Sequence, residues 1–345
     1  MKRSVVLFVA LVVSVVAVGQ VAPTLTVQHS GTKNRLQAVS AVNDQVVWVS
    51  GVGGTYGVTT DGGNTWHTAV VPGAETLQFR DVQGVSAKVA YLLAAGSGTD
   101  SRIYKTEDGG ATWTLQFENQ DPNAFYDCFA FWTPMRGLAQ SDSSNGRFPT
   151  LRTENGHTWI DIGNNLPAPL AGEGSFAASG TCVATQGAEN AWVVTTNSRV
   201  LATKDGGNSW AAYTAPIAGG TGTAGLFTID FRDATHGLTG GGDFAGTTIL
   251  NNVARSEDGG MTWRLTRPAP ITGAIFGLSY VEHGTMPNGF QRTAVATGPG
   301  GAAWTPDEGG SWYPLHVKNY WAVTFASPEA GWLVGTEGRI LKVSF

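Results

Sequence analysis

The sequence predicts an all-β chain folded as a seven-bladed β-propeller, and three observations support that prediction. A short motif ending in tryptophan recurs along the chain about every 50 residues. The same order of strand-forming segments precedes each copy of the motif. No segment beyond the N-terminal apolar run has the periodicity of a long helix. Repeats of this length that consist of short strands are typical of radially repeated sheets.

The recurring motif is an octet with the pattern Ser/Thr, any residue, Asp, any residue, Gly, any residue, Thr/Ser, Trp. Clean copies occupy residues 59–66, 106–113, 203–210, 256–263 and 305–312, and a degenerate copy occupies residues 152–159. The closing tryptophans stand at positions 66, 113, 159, 210, 263 and 312. This regular spacing indicates a repeat architecture.

The composition of the octet suits a tight turn between two strands. An aspartate accepts backbone N–H groups across such a turn, glycine adopts the backbone conformations that the turn requires, and threonine and tryptophan favour the flanking strands. We therefore favour a structural role for the octets over a ligand or metal site. The residues assigned to this role are Asp61, Trp66, Asp108, Trp113, Asp205, Trp210, Asp258, Trp263, Asp307 and Trp312.

Each octet lies between the third and fourth strands of a predicted four-stranded unit. The strand segments are short, rich in Val, Ile, Thr and aromatic residues, and separated by turn residues. The predicted strands are 36–42, 45–50, 56–60 and 67–71; 77–85, 89–94, 103–106 and 114–117; 128–133, 137–141, 150–153 and 160–162; 178–185, 191–195, 200–203 and 211–213; 226–232, 237–240, 252–256 and 264–266; and 274–281, 293–297, 302–305 and 313–315.

A seventh unit, with strands 321–327, 331–335 and 340–344, ends without an octet or a fourth strand. Residues 24–28 alternate polar and apolar side chains and have no other predicted partner. We expect them to pair with residues 340–344 and to close the ring, because closure protects the exposed edge of the last sheet.

The N-terminal segment predicts export. Lys2 and Arg3 precede an apolar run at residues 5–18, and small residues stand near Gly19. This pattern is typical of a signal peptide with cleavage after Gly19, and the run is short for a membrane-spanning helix. We expect a signal peptide at 1–19, a single propeller domain at 20–345, and a periplasmic or extracellular location. The alternative is an uncleaved membrane anchor.

The charge of the chain bears on its partners. The formal net charge is −5, and removal of residues 1–19 with their two basic residues would make it −7. Nucleic-acid binding needs a basic face, so we expect no nucleic-acid partner. We expect a monomer that binds a protein or a glycan, with no membrane-spanning segment after cleavage.

The cysteines and histidines predict neither a metal nor a cofactor. Cys128 and Cys182 fall at comparable positions in adjacent units. In an exported protein they are compatible with a disulfide, but two buried free thiols are the favoured alternative. The six histidines are scattered without ligand spacing.

The candidate ligand pocket lies on the face opposite the octets, where the loops of units three to five are longest. Its acidic side chains are either turn caps or a pair of carboxylates able to hydrolyse a glycosidic bond. The former is favoured for any one of them. The candidate residues are Arg80, Tyr126, Asp127, Asp142, Arg147, Glu173 and Asp243.

The octet resembles the Asp-box, or BNR repeat, and six copies at blade spacing extend the resemblance over nearly the whole chain. Asp-boxes occur in sialidases, xyloglucan-type glycosidases, sortilin-like receptors and the photosystem II stability/assembly factor family. The chain looks most similar to the last, through residues 231–237 and 335–340. This resemblance implies a partner that is a nascent or partly assembled membrane protein, bound through a basic patch. Candidates for such a patch are Arg80, Arg102, Arg147 and Arg199.

Two narrower resemblances add little about activity. Residues 125–132 and 174–181 are similar to exported bacterial proteins that carry the label oxidoreductase, but no dinucleotide-binding glycine motif and no Cys or His set supports redox chemistry. Residues 147–149, Arg-Phe-Pro, resemble the Arg-Ile-Pro motif of sialidases. That motif precedes the first Asp-box in sialidases and follows the second octet here, so the sialidase residues cannot be transferred.

The sequence therefore predicts an exported, non-catalytic propeller that acts as a protein-binding or assembly-type scaffold. The alternative is a glycoside hydrolase or lyase, sialidase-like or of another Asp-box type, that uses two of Asp127, Asp142, Glu173 and Asp243. A third hypothesis is sugar or peptide binding without turnover. The second hypothesis requires two carboxyl groups at the separation that glycoside hydrolysis needs.

Overall fold

The computed structural model describes residues 22–249, 251–284 and 289–345. The predicted signal peptide, residues 1–19, lies outside the described residues. Within the described part, the strands form seven four-stranded antiparallel sheets, which confirms the predicted seven-bladed propeller. The only helical elements in these ranges are three short 3-10 turns, Gly98–Asp100, Gly163–Asn165 and Thr336–Gly338, and no described helix is long and apolar enough to cross a membrane.

Blades 1 to 4 contain their strands in chain order, with the first strand of each blade innermost. Blade 1 consists of β2 (Leu36–Ala41), β3 (Val47–Gly51), β4 (Thr55–Thr59) and β5 (His67–Val70). Blade 2 consists of β6 (Phe79–Gly84), β7 (Ala90–Ala94), β8 (Arg102–Thr106) and β9 (Thr114–Glu118). Blade 3 consists of β10 (Tyr126–Thr133), β11 (Arg136–Ser141), β12 (Thr150–Thr153) and β13 (Ile160–Asp161). Blade 4 consists of β14 (Val183–Gln186), β15 (Asn190–Val194), β16 (Arg199–Thr203) and β17 (Ala211–Thr214).

The remaining blades follow the same order, and the last one includes the first strand of the chain. Blade 5 consists of β18 (Ala224–Phe231), β19 (Gly237–Asp243), β20 (Val253–Ser256) and β21 (Arg264–Leu265). Blade 6 consists of β22 (Gly277–Tyr280), β23 (Ala294–Gly298), β24 (Gly301–Thr305) and β25 (Tyr313–Pro314). Blade 7 consists of β26 (Tyr320–Ser327), β27 (Ala330–Gly335), β28 (Arg339–Ser344) and β1 (Thr24–His29).

Burial follows from the position of each strand in its blade. The second strand of blade 1, β3, is buried along its whole length, whereas the outer strand β5 is mostly exposed. Neighbouring blades cover both faces of the second strands, so β3 and β7 are buried throughout and almost uniformly apolar. Large aromatic side chains fill the space between blades. Trp48 of blade 1 donates its indole N–H to the Ser86 carbonyl of blade 2 at 2.8 Å.

The N-terminal strand closes the ring, as predicted. β1 pairs with β28 in antiparallel register from Thr24 opposite Ser344 to His29 opposite Arg339. Leu25 packs against the core between blades 6 and 7, while Val27 is 69% exposed. The strand also contributes the Gln28 side chain, which donates to the Gly62 carbonyl at 3.0 Å and accepts the Trp66 indole N–H at 3.2 Å.

The octets form the turns between the third and fourth strands. In the first copy, Asp61 accepts hydrogen bonds from the Thr65 backbone N–H at 2.9 Å, from the Thr65 hydroxyl at 2.6 Å and from the Thr59 hydroxyl at 2.8 Å. The Gly63 N–H in turn donates to the Thr59 hydroxyl at 2.9 Å. Both carboxylate oxygens of Asp61 and the hydroxyl groups of Thr59 and Thr65 are thus used inside the turn.

The degenerate copy is one residue shorter than the sequence alignment assumed. It begins at Thr153 rather than Arg152, and Asn155 takes the place of the aspartate. The Asn155 amide oxygen accepts the Thr158 N–H at 2.9 Å, and the Gly156 N–H donates to the Thr153 hydroxyl at 2.9 Å. Asparagine reproduces the turn because the backbone bonds need only one side-chain oxygen.

The largest disagreement with the predicted strands is in blade 4. The first strand was predicted at 178–185, but β14 covers only Val183–Gln186. The residues before it leave the sheet. In blade 6 the first strand is likewise shorter than predicted, Gly277–Tyr280 rather than 274–281.

Candidate functional site

Residues 174–181, here called the axial segment, cross the centre of the ring instead of pairing in blade 4. The Ala177 carbonyl accepts a hydrogen bond from Arg80 Nη1 of blade 2 at 3.2 Å. The Ser179 hydroxyl donates to the Phe276 carbonyl, at the start of blade 6, at 2.5 Å. Blades 2 and 6 lie on opposite sides of blade 4, so the segment spans the central channel at its loop-rich end.

A disulfide holds the end of the axial segment. Cys182, which follows the segment directly, is bonded to Cys128 of β10, with the two Cα atoms 5.9 Å apart. Both cysteines are fully buried. The structure thus has the disulfide and not the pair of free thiols that the sequence argument favoured. The two residues are 54 positions apart in sequence but lie side by side on neighbouring blades.

Beside the axial segment lies an open pocket of about 430 Å³. Blades 2 and 3 and the loop before β14 supply its walls, and four of the seven sequence-predicted residues line it. The side chains that form its charged and aromatic surface are Arg80, Phe125, Asp127, Asp142, Glu173 and Phe176.

Asp127 and Asp142 form a carboxyl pair in the pocket wall. Asp127 is 1% exposed, and burial raises its pKa well above the usual range, with the neighbouring Asp142 charge adding to the effect. Burial also raises the pKa of Asp142, to about 6, against the opposing hydrogen bond from the Ser175 N–H. The charge of Asp142 acts directly on the buried Asp127, so the two acids titrate as a coupled pair. Two carboxyls so placed retain a proton more readily than an isolated acid does.

The axial segment positions Asp142. The Ser175 N–H donates to Asp142 Oδ1 at 2.8 Å, and the Asp142 N–H donates to the Phe125 carbonyl at 2.9 Å. A Cβ atom at position 174 would overlap Asp142 Oδ1, so the close approach requires Gly174. The carboxyl group of Asp142 therefore explains why position 174 is a glycine.

Glu173 is a structural residue although it lines the pocket. Its side chain is fully buried, and Oε1 accepts hydrogen bonds from the Thr195 hydroxyl at 2.6 Å and from Arg199 Nε at 2.9 Å. Oε2 accepts the Leu170 N–H at 2.8 Å. With both oxygens engaged, Glu173 anchors the loop before the axial segment and is not available as an acid or base.

Arg80 is partly desolvated and bonded to neutral groups. Burial lowers its pKa, the nearby Arg35 lowers it further, and Asp127 opposes these effects. Its Nε and Nη2 atoms donate to Gln78 Oε1 at 3.2 and 2.8 Å. The Arg35 guanidinium lies 4.4 Å above the Trp321 ring. Of the four arginines considered for a basic patch, Arg80 alone lines the pocket. Arg102 and Arg147 form ion pairs with Glu118 and Asp161, and Arg199 forms one with Glu173.

Three predicted residues lie outside the pocket. Tyr126 is buried, and its ring packs against Phe117 with a centroid distance of 5.3 Å, because consecutive residues of a strand point to opposite sides. Arg147 forms a two-point ion pair with Asp161 at the outer strand of blade 3. Asp243 is exposed, and it accepts the Ala245 N–H at 3.0 Å in its own turn.

A set of bulge residues at the loop-rich end of the channel was missed by the sequence analysis. In five blades the first strand has a bulge near its start, and one residue between two paired positions remains unpaired. Phe276 occupies the same position in blade 6. An alignment of the blades on their first strands could have revealed this set, which consists of Gln37, Arg80, Asp127, Phe227, Phe276 and Trp321.

The bulge residues are polar in blades 1 to 3 and aromatic in blades 5 to 7. Phe227 and Phe276 stack at a centroid distance of 5.2 Å, and Trp321 meets Phe276 edge to face at 5.0 Å. Phe176 of the axial segment stacks on Phe227 at a centroid distance of 3.9 Å. The exposed Phe244 meets Phe176 edge to face at 6.1 Å. The loop-rich end of the channel therefore has a polar half and an aromatic half.

Among the residues in the described ranges, no group of three or more His, Cys, Asp or Glu side chains is arranged to hold a metal ion. No protein-family model matches the sequence, and comparison with curated proteins finds no similar sequence.

Comparison with solved structures finds several propellers of similar shape. The chain is similar to YCF48 from Cyanidioschyzon merolae, with a TM-score of 0.65 and 18% identity over 94% of this chain and 99% of that chain. It is also similar to a structure described as YCF48 bound to D1 peptide, with a TM-score of 0.59 and 17% identity over 95% and 97% of the two chains. A GH74 xyloglucanase from Xanthomonas campestris matches with a TM-score of 0.60 and 14% identity over 92% of this chain and 53% of that chain. At these identities the similarity shows the propeller fold.

Proposed function

We propose that this chain is an exported, non-catalytic propeller that binds a segment of a protein partner on its loop-rich face. The observation that carries the proposal is the pocket beside the axial segment, where the carboxyls of the buried Asp127 and the half-buried Asp142 line the same wall as the aromatic rings of Phe125 and Phe176. Its volume of about 430 Å³ suits one or two side chains of a bound segment. Phe244, which is 48% exposed, adds apolar surface nearby.

The comparisons support this proposal through the fold. One of the similar propellers is described as bound to a peptide. A propeller presents one face of loops on a rigid scaffold, and this arrangement suits recognition of an extended segment. Export rests on the N-terminal sequence pattern at residues 1–19.

The second candidate, glycoside hydrolysis, has the similar fold of the xyloglucanase in its favour. The carboxyl geometry of this chain argues against it. Retaining and inverting glycosidases separate two carboxyls with distinct roles by about 5 to 9.5 Å, whereas the charge of Asp142 acts directly on the buried Asp127, so these two acids titrate as one coupled pair. Glu173 is engaged by three donors, and Asp243 lies outside the pocket.

A selection from a displayed library of random 12-residue peptides tests the proposal. We expect the protein to enrich peptides that bind with micromolar affinity. Phe244→Ala on the loop-rich face should weaken binding at least about 5-fold. The matched control is Met261→Ala, a 41% exposed apolar residue of an octet on the opposite face, and it should leave binding unchanged.

Two results would overturn the proposal. One is the failure to enrich any peptide over an unrelated propeller. The other is turnover of a substrate in a glycan panel that disappears in Asp127→Asn, since this would show that the pocket is catalytic.

A further inference from the structure

We infer that the pocket accepts a lysine or arginine side chain of the bound segment, with its charged group at Asp127 and Asp142 and its aliphatic stem between Phe125 and Phe176. This inference rests on the proposed function and specifies the chemistry of the partner at that site.

Neither carboxyl forms an ion pair within the described protein, although the charge of Arg80 acts on Asp127. None of the ion pairs among the described residues includes Asp127 or Asp142. Asp127 is 1% exposed, yet no N–H or O–H of the described protein donates to its Oδ2 atom. A buried carboxyl without such a donor is energetically costly unless a cation or a proton compensates it. Both acids line the open pocket, so a cation from solvent has access to them.

The other charged residues of the pocket do not supply this cation. The donor atoms of Arg80 are directed to the Ala177 carbonyl and to Gln78. Arg199 forms an ion pair with Glu173 of the same protein. Arg35 lies over Trp321 on the aromatic side of the channel. Arg80 can match at most one of the two carboxylate charges, so when both acids are ionised the pocket keeps an unmatched negative charge at Asp127 and Asp142.

The walls favour an organic cation with an aliphatic stem over a metal ion. Phe125 and Phe176 are half-buried and line the same pocket as the acids. Lysine and arginine bury their methylene groups along apolar surface, and their charged ends interact favourably with carboxylates and aromatic faces. The acids offer two carboxyl groups, and in the described residues they belong to no cluster of three or more metal-ligating side chains.

The affinity of the pocket for a cationic side chain should depend on pH. The ligand charge competes with the protons that burial keeps on the two acids, so its binding should tighten as those protons are lost. Burial raises the pKa of Asp142 to about 6 and that of Asp127 well above the usual range. The charged groups that face the pair are Arg80 and Glu173, and Arg35 acts on Arg80. Affinity for a cationic side chain should therefore rise between pH 5 and pH 8.

The main test uses peptides enriched in the selection, with each Lys or Arg replaced in turn by norleucine. Calorimetric titration at pH 8 should show one position at which norleucine weakens binding at least about 10-fold. Asp127→Asn or Asp142→Asn should reduce affinity for the parent peptide by a similar factor. The unaltered protein should bind the parent peptide more weakly at pH 5 than at pH 8. Asp243→Asn, which alters an exposed acid outside the pocket, should change affinity less than about 2-fold. Circular dichroism of both pocket variants checks that they fold.

A second probe separates this inference from the proposed function. Saturation-transfer NMR with Nα-acetyl-lysine methylamide and Nα-acetyl-norleucine methylamide should show contact for the lysine compound alone, and Asp142→Asn should abolish it. If peptides bind but tolerate norleucine at every position, the inference is wrong and the proposed function stands. If the selection yields no peptide, the proposed function fails, and the lysine probe alone decides whether the pocket recognises a cation. Equal contact with both compounds would overturn the inference.

Discussion

Asp127 and Asp142 line the same wall of the pocket, where the charge of Asp142 acts on the buried Asp127, and no ion pair among the described residues includes either acid. This arrangement destabilises the folded state at neutral pH, because either one of the two desolvated carboxyls must retain a proton or both must carry charge in a desolvated site. Proteins accept such costs mainly at sites of function.

The first prediction concerns the pH dependence of stability. Folding raises the pKa of both carboxyls, to about 6 for Asp142, so the folded state binds more protons than the unfolded state above about pH 4. Their contribution to stability is therefore greatest at low pH and is lost as pH rises through the folded pKa values. Asp127→Asn should flatten this dependence and raise the free energy of unfolding at pH 8 by about 1–3 kcal/mol. Urea unfolding at pH 4.5, 6 and 8 measures it. A variant that is less stable than wild type at pH 8 would contradict the account.

The second prediction concerns the octet turns. Asp258 accepts hydrogen bonds from the Thr262 N–H and hydroxyl at 2.9 and 2.6 Å. Asp258→Ala removes these and should cost about 1–3 kcal/mol of unfolding free energy. Glu257→Ala in the same octet breaks only an exposed ion pair with Arg255 and should cost less than about 1 kcal/mol. Denaturant unfolding of the two variants compares them.

The stability that the octet turns contribute depends on pH in the opposite direction to the stability that the Asp127 and Asp142 pair contributes. Burial raises the pKa of Asp258, but hydrogen bonds from Thr262 outweigh it, and the net pKa is lowered. The stabilisation by this carboxylate is therefore present above about pH 4 and is lost as pH falls through its lowered pKa. The wild type and Asp258→Ala should converge in stability near pH 2, and a difference that persists undiminished there would count against this explanation.

The third prediction concerns ring closure by β1. Leu25 packs against the core next to blade 7, so Leu25→Ala should destabilise the protein by about 1–2 kcal/mol. Val27 is 69% exposed, and Val27→Ala on the same strand should stay within about 0.5 kcal/mol of wild type. Thermal unfolding distinguishes them. Equal effects of the two substitutions would mean that side-chain packing of this strand does not contribute to closure.

The fourth prediction concerns the disulfide. Replacing Cys128 and Cys182 together with alanine should cost about 2–4 kcal/mol, since the bond closes a loop of 54 residues. The axial segment, residues 174–181, should then exchange its amide hydrogens faster, while the octet turn of blade 1 should not change. Hydrogen exchange followed by mass spectrometry measures both. Unchanged exchange in the axial segment would show that its hydrogen bonds to blades 2 and 6 suffice to hold it.

The blades could be predicted from the sequence because their determinants are local. Asp61 bonds to residues within four positions of itself, so the turn can be recognised from a single octet. The closing strand could also be predicted, because 24–28 was the one unpartnered strand segment and blade 7 lacked one.

The axial segment could not be predicted, because its contacts are distant in sequence. Ser179 bonds to a carbonyl 97 residues away, and nothing in residues 174–181 distinguishes them from a short strand. The alternation of side chains along a strand explains a second error. Tyr126 and Asp127 are adjacent in sequence, but only Asp127 faces the pocket, since strand neighbours point to opposite sides. Arg147 was assigned to the pocket for its charge, whereas Asp161 holds it at the outer strand.

We place the binding site on the face opposite the octets. Hydrogen exchange of the protein, measured with and without a selected peptide, tests this assignment most directly. Binding should slow exchange in segments 123–127, 142–143 and 172–177, which contribute most of the pocket wall, and should leave the octet turns 59–66 and 256–263 unchanged. Slowed exchange in the octet turns with none around the pocket would contradict the account.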